Sequence, residues 1–269
     1  MQLPFFSHSQ TERKLTEFSI NTQPVALKKL GNEQDNVYGL LAALIIISVW
    51  ATSLTILLSL NLAHLPVWLV PLAIFWQTFL YTGLFITAHD AMHGSVCPQN
   101  PKLNTLIGTL AVFAYGLFSY KELLKKHWLH HRYPASDRDP DFHDGKHKNP
   151  IAWYFSFMRR YWSWKQLCGQ VAIFYLAHYV LQVPQLNLTL FWFIPAISSS
   201  VQLFYFGTFL THREPEGGYS QPHRAKTHSL PFFWSFIACY HFGYHQEHHE
   251  HPQVPWWQLP KVYKMQTQS

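Results

Sequence analysis

Charged residues are scarce in this sequence. Asp, Glu, Lys and Arg make up only 13% of its 269 residues, about half the share of roughly 25% that is usual in soluble domains. Lysine and arginine are absent from two long stretches, one between Gly31 and Pro101 and one between Gln166 and His212. Apolar and polar residues are therefore segregated into blocks, which argues against an ordinary water-soluble domain.

Cysteine is also scarce, and several familiar motifs are missing. The three cysteines, Cys97, Cys168 and Cys239, show no CxxC spacing, which argues against disulfides, a thiolate zinc site and a cysteine-ligated cluster. No GxGxxG occurs, so nothing indicates a flavin or nicotinamide site. Residues 1–36 are polar and lack the apolar core of a cleavable signal peptide.

Long apolar runs, in contrast, are abundant. A membrane-spanning helix needs about 20 apolar residues, and four blocks approach or exceed that length: 37–62, 66–88, 166–183 and 188–210. Two weaker stretches, 105–118 and 230–240, are too short to cross and are predicted to be re-entrant or interfacial. The basic segment that follows Phe118 is predicted to continue as a helix into the cytosol. The aromatic-rich stretch 153–164 is predicted to be an interfacial helix with aromatic anchors, in preference to a specific substrate gate.

The positions of lysine and arginine predict the topology. All 20 lie in the N-terminal arm, in the 101–165 segment or after His212, and the positive-inside rule makes these regions cytoplasmic. Both termini are then cytoplasmic, which requires an even number of spans. We therefore predict an all-α, four-transmembrane-helix bundle with a cytoplasmic helical cap. Its parts are an arm (1–36), a membrane domain with its cap (37–257) and a tail (258–269).

The net charge of +6 thus belongs to one face of the membrane. Two compatible interpretations are a basic patch against anionic lipid headgroups and a dock for an acidic electron-donor protein. The membrane topology already explains where the basic residues lie, so nothing indicates a nucleic-acid partner.

Eight histidines form three tight clusters, each with a spacing that suits one helix face. The clusters are His89-x-x-x-His93, His127-x-x-His130-His131 and His245-x-x-His248-His249. Eight imidazoles exceed what one tetrahedral zinc ion can use. They suit two transition-metal ions with open coordination positions, and iron is favoured because imidazole suits it and open positions admit O2. All three clusters are predicted to lie near one membrane–water boundary.

Other polar residues near the clusters are weaker candidates. His212 ends the last apolar block on the cytoplasmic side and is a candidate ninth ligand, whereas His223, His228 and His241 are left open. Four acids lie in or near the clusters and are interpreted mainly as partners for the second N–H of ligating imidazoles: Asp90, Asp139, Asp141 and Glu247. His143 and His147 repeat a four-residue spacing, but Gly145 and Pro150 predict a solvent-facing loop there.

These motifs resemble those of the integral-membrane desaturase and hydroxylase superfamily. Longer strings are similar, more narrowly, to the bacterial β-carotene 4-ketolases, from residue 37 to residue 257. The strings are AHDAMHGS (88–95), HWLHHRYP (127–134), DPDFH (139–143), LFYFGTFLTHR (203–213) and CYHFGYHQEHHEHPQVPWW (239–257).

The resemblance implies a di-iron, O2-dependent enzyme that oxidises carbon 4 of the β-ionone ring of a carotenoid to a ketone, giving echinenone and then canthaxanthin. It implies a lipid-dissolved carotenoid substrate and reduced ferredoxin as electron donor. The implied metal ligands are His89, His93, His127, His130, His131, His212, His245, His248 and His249.

Three other functions remain open at this stage. A fatty-acyl desaturase or a carotenoid hydroxylase would share the clusters and differ in product. A metal transporter would place its ligands near the bilayer midplane, whereas these lie at the ends of spans. A haem-carrying electron carrier would use two or four histidines and leave the others without a role.

Overall fold

The computed structural model describes residues 33–145 and 148–268. Over these ranges the chain is helical and contains no β-strand, which confirms the predicted all-α class. The helices, in chain order, are α1 (Glu33–Ser59), α2 (Leu69–Met92), α3 (Pro101–Gly116), α4 (Tyr120–Arg132), α5 (Pro150–Tyr161), α6 (Trp164–Tyr179), α7 (Gln185–His212), α8 (Phe232–Cys239), α9 (His245–Glu250) and α10 (Leu259–Thr267).

Three of these helices, α1, α2 and α7, are long and apolar enough to cross a membrane, and they coincide with three of the predicted blocks. The count rises to four within the described residues if α3 and α4, which meet at 98°, form one broken span. The block predicted as the third span forms α6, a helix of 16 residues. At 1.5 Å per residue α6 is about 24 Å long, shorter than the ~30 Å hydrocarbon core.

The sharp bend between α3 and α4 has a local cause. Leu117 adopts a left-handed conformation with φ 58° and closes α3. Two residues later the Ser119 side chain accepts a hydrogen bond from the backbone N–H of Glu122 and caps α4. The Ser119-x-x-Glu122 spacing is that of a capping box, which marks a helix start. The helix that carries the second histidine cluster therefore begins anew at Tyr120 and does not continue the preceding helix.

Helix α2 forms the centre of the bundle. It packs against α1, α3, α4, α7 and α8, and from Gln77 to Met92 all but one of its residues are buried. Inside this packing the Thr82 hydroxyl donates to the Gln202 side chain at 2.6 Å and lies 2.9 Å from the Ser199 hydroxyl. Because a buried hydroxyl without a partner is costly, these contacts fix how α2 and α7 pair.

Helix α7 is not uniform along its length. Two π-helical turns interrupt it, at Leu188–Phe193 and at Phe204–Phe209. Such turns are frequent at functional sites. The second turn directly precedes His212, which ends the helix.

Helix α5 departs from the interfacial helix predicted for stretch 153–164. Trp153 is fully buried, and its indole N–H donates to the Asp141 carbonyl at 2.8 Å. Arg160 donates to the carbonyls of Asp139, Pro140 and Phe142. The helix therefore clamps the DPDF loop (residues 139–142), and the buried Trp153 is not an aromatic anchor of the kind predicted for an interfacial helix.

Asn187 joins the first and last long helices, and we expect Asn187→Ala to destabilise the fold. Its buried side-chain amide donates to the carbonyls of Leu57, Leu58 and Leu60 at 3.1, 3.2 and 2.8 Å. Without it the end of α1 loses its partner, so the free energy of unfolding should fall by about 1–3 kcal/mol. Thermal unfolding of the detergent-purified protein measures this. Asn61→Ala, at an exposed cap, is the matched control, and equal shifts would contradict the assignment.

Candidate metal centre

The local folds bring all three histidine clusters to one place. The first cluster ends α2, which terminates at Met92 and is followed by Gly94 with φ 75°, the left-handed conformation that glycine adopts without strain. The second cluster occupies the last turns of α4, and the third begins α9. His212 closes α7 and joins them.

The nine candidate ligands form two groups of converging nitrogens. Within each group the donor atoms all lie within 4.8 Å of one another. The first group consists of His89, His93, His127, His131 and His248, and the second of His130, His212, His245 and His249. The structure thus brings together every histidine that the sequence predicted as a ligand.

The two HxxHH clusters are divided between the groups in a reciprocal manner. In the second cluster the i and i+4 pair, His127 and His131, belongs to the first group, and His130 belongs to the second. In the third cluster the i and i+4 pair belongs to the second group, and His248 belongs to the first. Helix geometry explains the division, because residues at i and i+4 face almost the same direction, whereas i+3 lies on the other side of i.

Spacing between the imidazoles fits a metal ion in each group. Nε2 of His127 lies 2.6 Å from Nε2 of His93 in the first group. In the second, Nε2 of His249 lies 3.1 Å from that of His130 and 3.2 Å from that of His245. Nitrogens that ligate one ion at about 2.1 Å stand about 3 Å apart. One shared N–H cannot satisfy three converging nitrogens, whereas a cation among them can.

Several buried nitrogens at the centre have no hydrogen-bond partner. Among the described residues, both ring nitrogens of His89 and Nε2 of His212 are buried and unpaired. Such groups are rare in folded proteins, and an ion at the site is one of the few explanations for them. The donor set therefore fits a metal centre.

A carboxylate and a carbonyl orient two imidazoles of the second group. His130 Nδ1 donates to the Asp139 carboxylate, 3.0 Å from each oxygen, and His212 Nδ1 donates to the Arg224 carbonyl at 2.9 Å. In both rings Nε2 is thereby directed to the group. Burial tends to raise the pKa of Asp139, but the adjacent His130 imidazole outweighs burial and holds that pKa below its ordinary value. A carboxylate behind a histidine is the usual support for a metal ligand.

Asp141 lies beside this pair on the cavity side. Its carboxylate accepts a hydrogen bond from the Tyr161 hydroxyl and comes within 3.8 Å of His130 Nδ1. Burial raises the pKa of Asp141 to about 6. The Tyr161 contact could not be predicted from spacing, because the two residues lie on different elements.

The other two predicted acids differ in their contacts. Asp90 Oδ1 lies 3.6 Å from His89 Nδ1, and Asp90 Oδ2 accepts a hydrogen bond from the Trp256 backbone at 3.2 Å. Glu247 instead accepts from the Thr227 hydroxyl, and burial raises its pKa. Asp90 thus lies beside an imidazole without a hydrogen bond to it, whereas Glu247 ties α9 to the segment before α8.

The histidines left open by the sequence fall outside both groups. His241 is buried, and its ring packs against those of Phe232 and Trp256. The ring centroid of His223 lies 6.0 Å from that of His249, and His228 is exposed. His143 is buried between Phe142 and Trp153, so its predicted exposure is wrong. His147 lies outside the described residues.

An apolar cavity adjoins the two groups. The cavity opens to the outside, and histidines of both groups line it: His89, His127, His130 and His245. Aromatic and aliphatic side chains form most of the remaining wall, among them Phe85, Phe118, Phe157, Phe193 and Phe242. Four residues of the aromatic stretch also line it (Phe157, Met158, Tyr161 and Trp162). A largely apolar ligand could therefore bring one end to the histidines.

Comparisons with known proteins agree with this geometry. A family model described as fatty acid desaturase matches residues 66–168 and 148–268. The chain is 39% identical over 241 residues to a β-carotene ketolase of Paracoccus sp. (strain PC1), covering 88% of this chain and 97% of that protein. It is 43% identical over 190 residues to β-carotene 4-ketolase 3 of Haematococcus lacustris, covering 68% and 58%. It is 38% identical over 238 residues to a zeaxanthin 4-ketolase of Chlamydomonas reinhardtii, covering 83% and 52%.

The apolar helices and these relatives make the protein a membrane enzyme, and its histidine groups fit an iron-dependent oxygenase. The chain belongs to the fatty acid desaturase family and, within it, to the β-carotene ketolases.

Proposed function

We propose that this protein oxidises carbon 4 of the β-ionone ring of β-carotene to a ketone in an O2-dependent reaction, giving echinenone and then canthaxanthin. The observation that carries the proposal is the apolar cavity that ends at both histidine groups. The named activity of the Paracoccus and Haematococcus relatives supports it.

Two iron ions would be held by the nine histidines, five in the first group and four in the second. Bound iron would supply the activation of O2 that attack on an allylic C–H bond requires. Imidazole ligands suit iron and leave coordination positions free. The Asp139 carboxylate would hold the His130 ring in place, and the Arg224 carbonyl would do so for His212. Asp90, 3.6 Å from His89 Nδ1, would support that ring more weakly, by charge and without a hydrogen bond. Glu247 would act only by positioning α9.

The cavity walls would orient the substrate and exclude water. Phe242 lies 4.7 Å from the His89 ring and 5.0 Å from the His245 ring, between the two groups. Gly207 faces it, and a Cβ there would stand 2.5 Å from the Phe242 ring. The close approach of α7 to this ring narrows the end of the cavity. A dry apolar wall suppresses side reactions of reactive intermediates with water.

The overall reaction requires electrons from outside. Each hydroxylation of carbon 4 consumes one O2, two electrons and two protons, inserts one oxygen atom and releases one water. A second round on the same carbon gives a geminal diol, which loses water to form the ketone. A ketone therefore needs four electrons in all. An acidic electron-donor protein such as reduced ferredoxin would supply them.

We propose a multi-pass topology with both termini and the metal centre on the cytoplasmic side. The distribution of lysine and arginine supports this orientation. Helix α6 would be the third of four spans, because none of its residues is buried and no charged residue occurs from Gln166 to His212. The neighbouring apolar residues Val180 and Leu181 are exposed and would extend its apolar length.

Carotenoid chromatography from β-carotene-accumulating cells tests the proposed activity. Cells that express this chain should accumulate echinenone and canthaxanthin, and cells with an empty vector should not. Hydroxylated carotenoids without ketones, or new unsaturation in the fatty acids with unchanged carotenoids, would contradict the proposal and favour a hydroxylase or a fatty-acyl desaturase. Feeding the same cells zeaxanthin shows whether hydroxylated rings are accepted.

A further inference from the structure

The outer face of α4 carries a regular row of exposed side chains. Lys121, Lys125, Trp128 and Arg132 follow one another at intervals of four, three and four residues, and all four are exposed. These intervals place them on a single helix face. We refer to these four residues as the basic stripe. Lys126 points to the other side, where its ammonium group lies 4.6 Å from the centre of the Tyr161 ring.

No ion pair neutralises the positive charge of the basic stripe within the described part of the chain. Among the residues that the structure describes, neither lysine of the stripe nor Arg132 forms an ion pair. Glu122 is the one acid on α4, and it is exposed beside Lys125 and Lys126. Unpaired charges of one sign at a surface raise the encounter rate with a partner of opposite sign.

Trp128 connects the basic stripe to the metal centre. The indole is 39% exposed. Its ring centroid nevertheless lies 5.4 Å from that of His93 and 5.8 Å from that of His131. Both histidines belong to the first group. One aromatic side chain thus contacts solvent and two candidate ligands at the same time.

The two groups differ in how close they lie to this surface. All four histidines of the second group are buried, whereas His93, His127 and His131 of the first are only half-buried. The cavity reaches the histidines on a different side, where Phe242 and residues of α7 form its wall. A large partner that approaches from solvent would therefore meet the first group through α4 without entering the substrate cavity.

From these observations we propose that the basic stripe is the docking surface for an acidic one-electron carrier protein, with Trp128 at the centre of the contact. The inference rests on the proposed function, which requires external electrons. At this surface the carrier would be oxidised by one electron, iron held by the first group would be reduced by that electron, and the oxidised carrier would then leave. Tryptophan and arginine are the residues that most often dominate protein interfaces, and charge complementarity would set encounter rate and orientation.

Binding to a purified acidic [2Fe–2S] ferredoxin tests the proposal. The full chain is held in phosphatidylcholine nanodiscs, and the dissociation constant is measured at low and high salt. For Lys121→Glu/Lys125→Glu we expect affinity to fall by about tenfold or more at low salt, with a smaller salt dependence. Lys121→Gln/Lys125→Gln should lie between that variant and the native chain. Lys261→Glu, an exposed lysine on α10, should bind as the native chain does.

Ketone formation by the native chain in the same nanodiscs separates the two proposals. If the native chain forms no ketone with reduced ferredoxin, the proposed function fails. If it forms ketone and the double glutamate variant binds ferredoxin as tightly as the native chain does, the docking surface is overturned. A loss of affinity that occurs only with phosphatidylserine in the nanodiscs would also overturn it, because the stripe would then act on lipid headgroups.

Discussion

Replacing His130 by alanine is expected to abolish ketone formation. Among the described residues, His130 is the one histidine that belongs both to the second group of imidazoles and to the cluster with Asp139 and Asp141. Its Nε2 lies 3.1 Å from that of His249, and its ring lines the cavity. Loss of a residue that merely supports a ligand costs 10–100-fold in metal affinity or activity, so loss of the ligand itself should cost more than about 100-fold.

Two measurements on the same cells check this expectation. Carotenoid chromatography should show β-carotene and no ketone above the detection limit, and the purified variant should hold less iron per chain than the native protein. His64→Ala is the matched control, because His64 is exposed in the connection between α1 and α2. That control should keep native iron content and native ketone yield. A native ketone yield from His130→Ala would contradict the assignment of His130 as a metal ligand.

Sequence alone located every histidine that the structure brings into the two groups. Helical spacing within each cluster predicts imidazoles on one face, and the four-residue and three-residue intervals hold in α2, α4 and α9. What spacing could not predict is the partner of each ring. His130 and His131 are adjacent in the chain yet belong to different groups. Which rings converge on one point depends on how the helices pack, and spacing along one helix does not contain that information.

The supporting contacts were harder to predict for a related reason. The Arg224 carbonyl that orients His212 is a backbone atom, and no side-chain pattern reveals it. Arg160 binds three carbonyls of the DPDF loop from a stretch whose aromatic composition favours an interfacial helix. Such contacts depend on tertiary packing. Trp153, buried beside the same loop, is for the same reason not an aromatic anchor.

Membrane segments show which local signals are reliable. The absence of lysine and arginine correctly marked α1, α2 and α7 as apolar helices long enough to span. The length of an apolar run is a poorer guide to helix length, since the run 166–183 yields a helix that ends at Tyr179. The bend after α3 is made by Leu117 in the left-handed conformation. Glycine is the usual residue in that conformation, and its absence here leaves the capping box of Ser119 and Glu122 as the sequence signal for the new helix start.

Replacing Asp139 by asparagine is expected to have the second large effect, a loss of iron affinity. The replacement tests whether this acid supports the metal centre through the His130 imidazole. The buried carboxylate accepts hydrogen bonds from His130 Nδ1 and from the backbone N–H groups of Ala135 and Asp141, the last two at 2.8 Å each. Asparagine has nearly the same shape, but its amide nitrogen cannot accept a hydrogen bond. We therefore expect Asp139→Asn to release the His130 ring and to lower iron affinity by about 10–100-fold.

Iron retained per chain across a chelator titration measures this effect independently of turnover. Asp137→Asn is the matched control, because Asp137 lies two residues earlier in the same loop and is exposed. It should retain iron as the native chain does, and both variants should elute as folded protein from a sizing column. If Asp139→Asn retains iron as tightly as Asp137→Asn, the carboxylate does not support His130 as a ligand. Its hydrogen bonds would then serve the DPDF loop alone. Weaker retention in Asp139→Asn, with ketone yield falling in parallel, would instead tie the carboxylate to the metal centre through the imidazole.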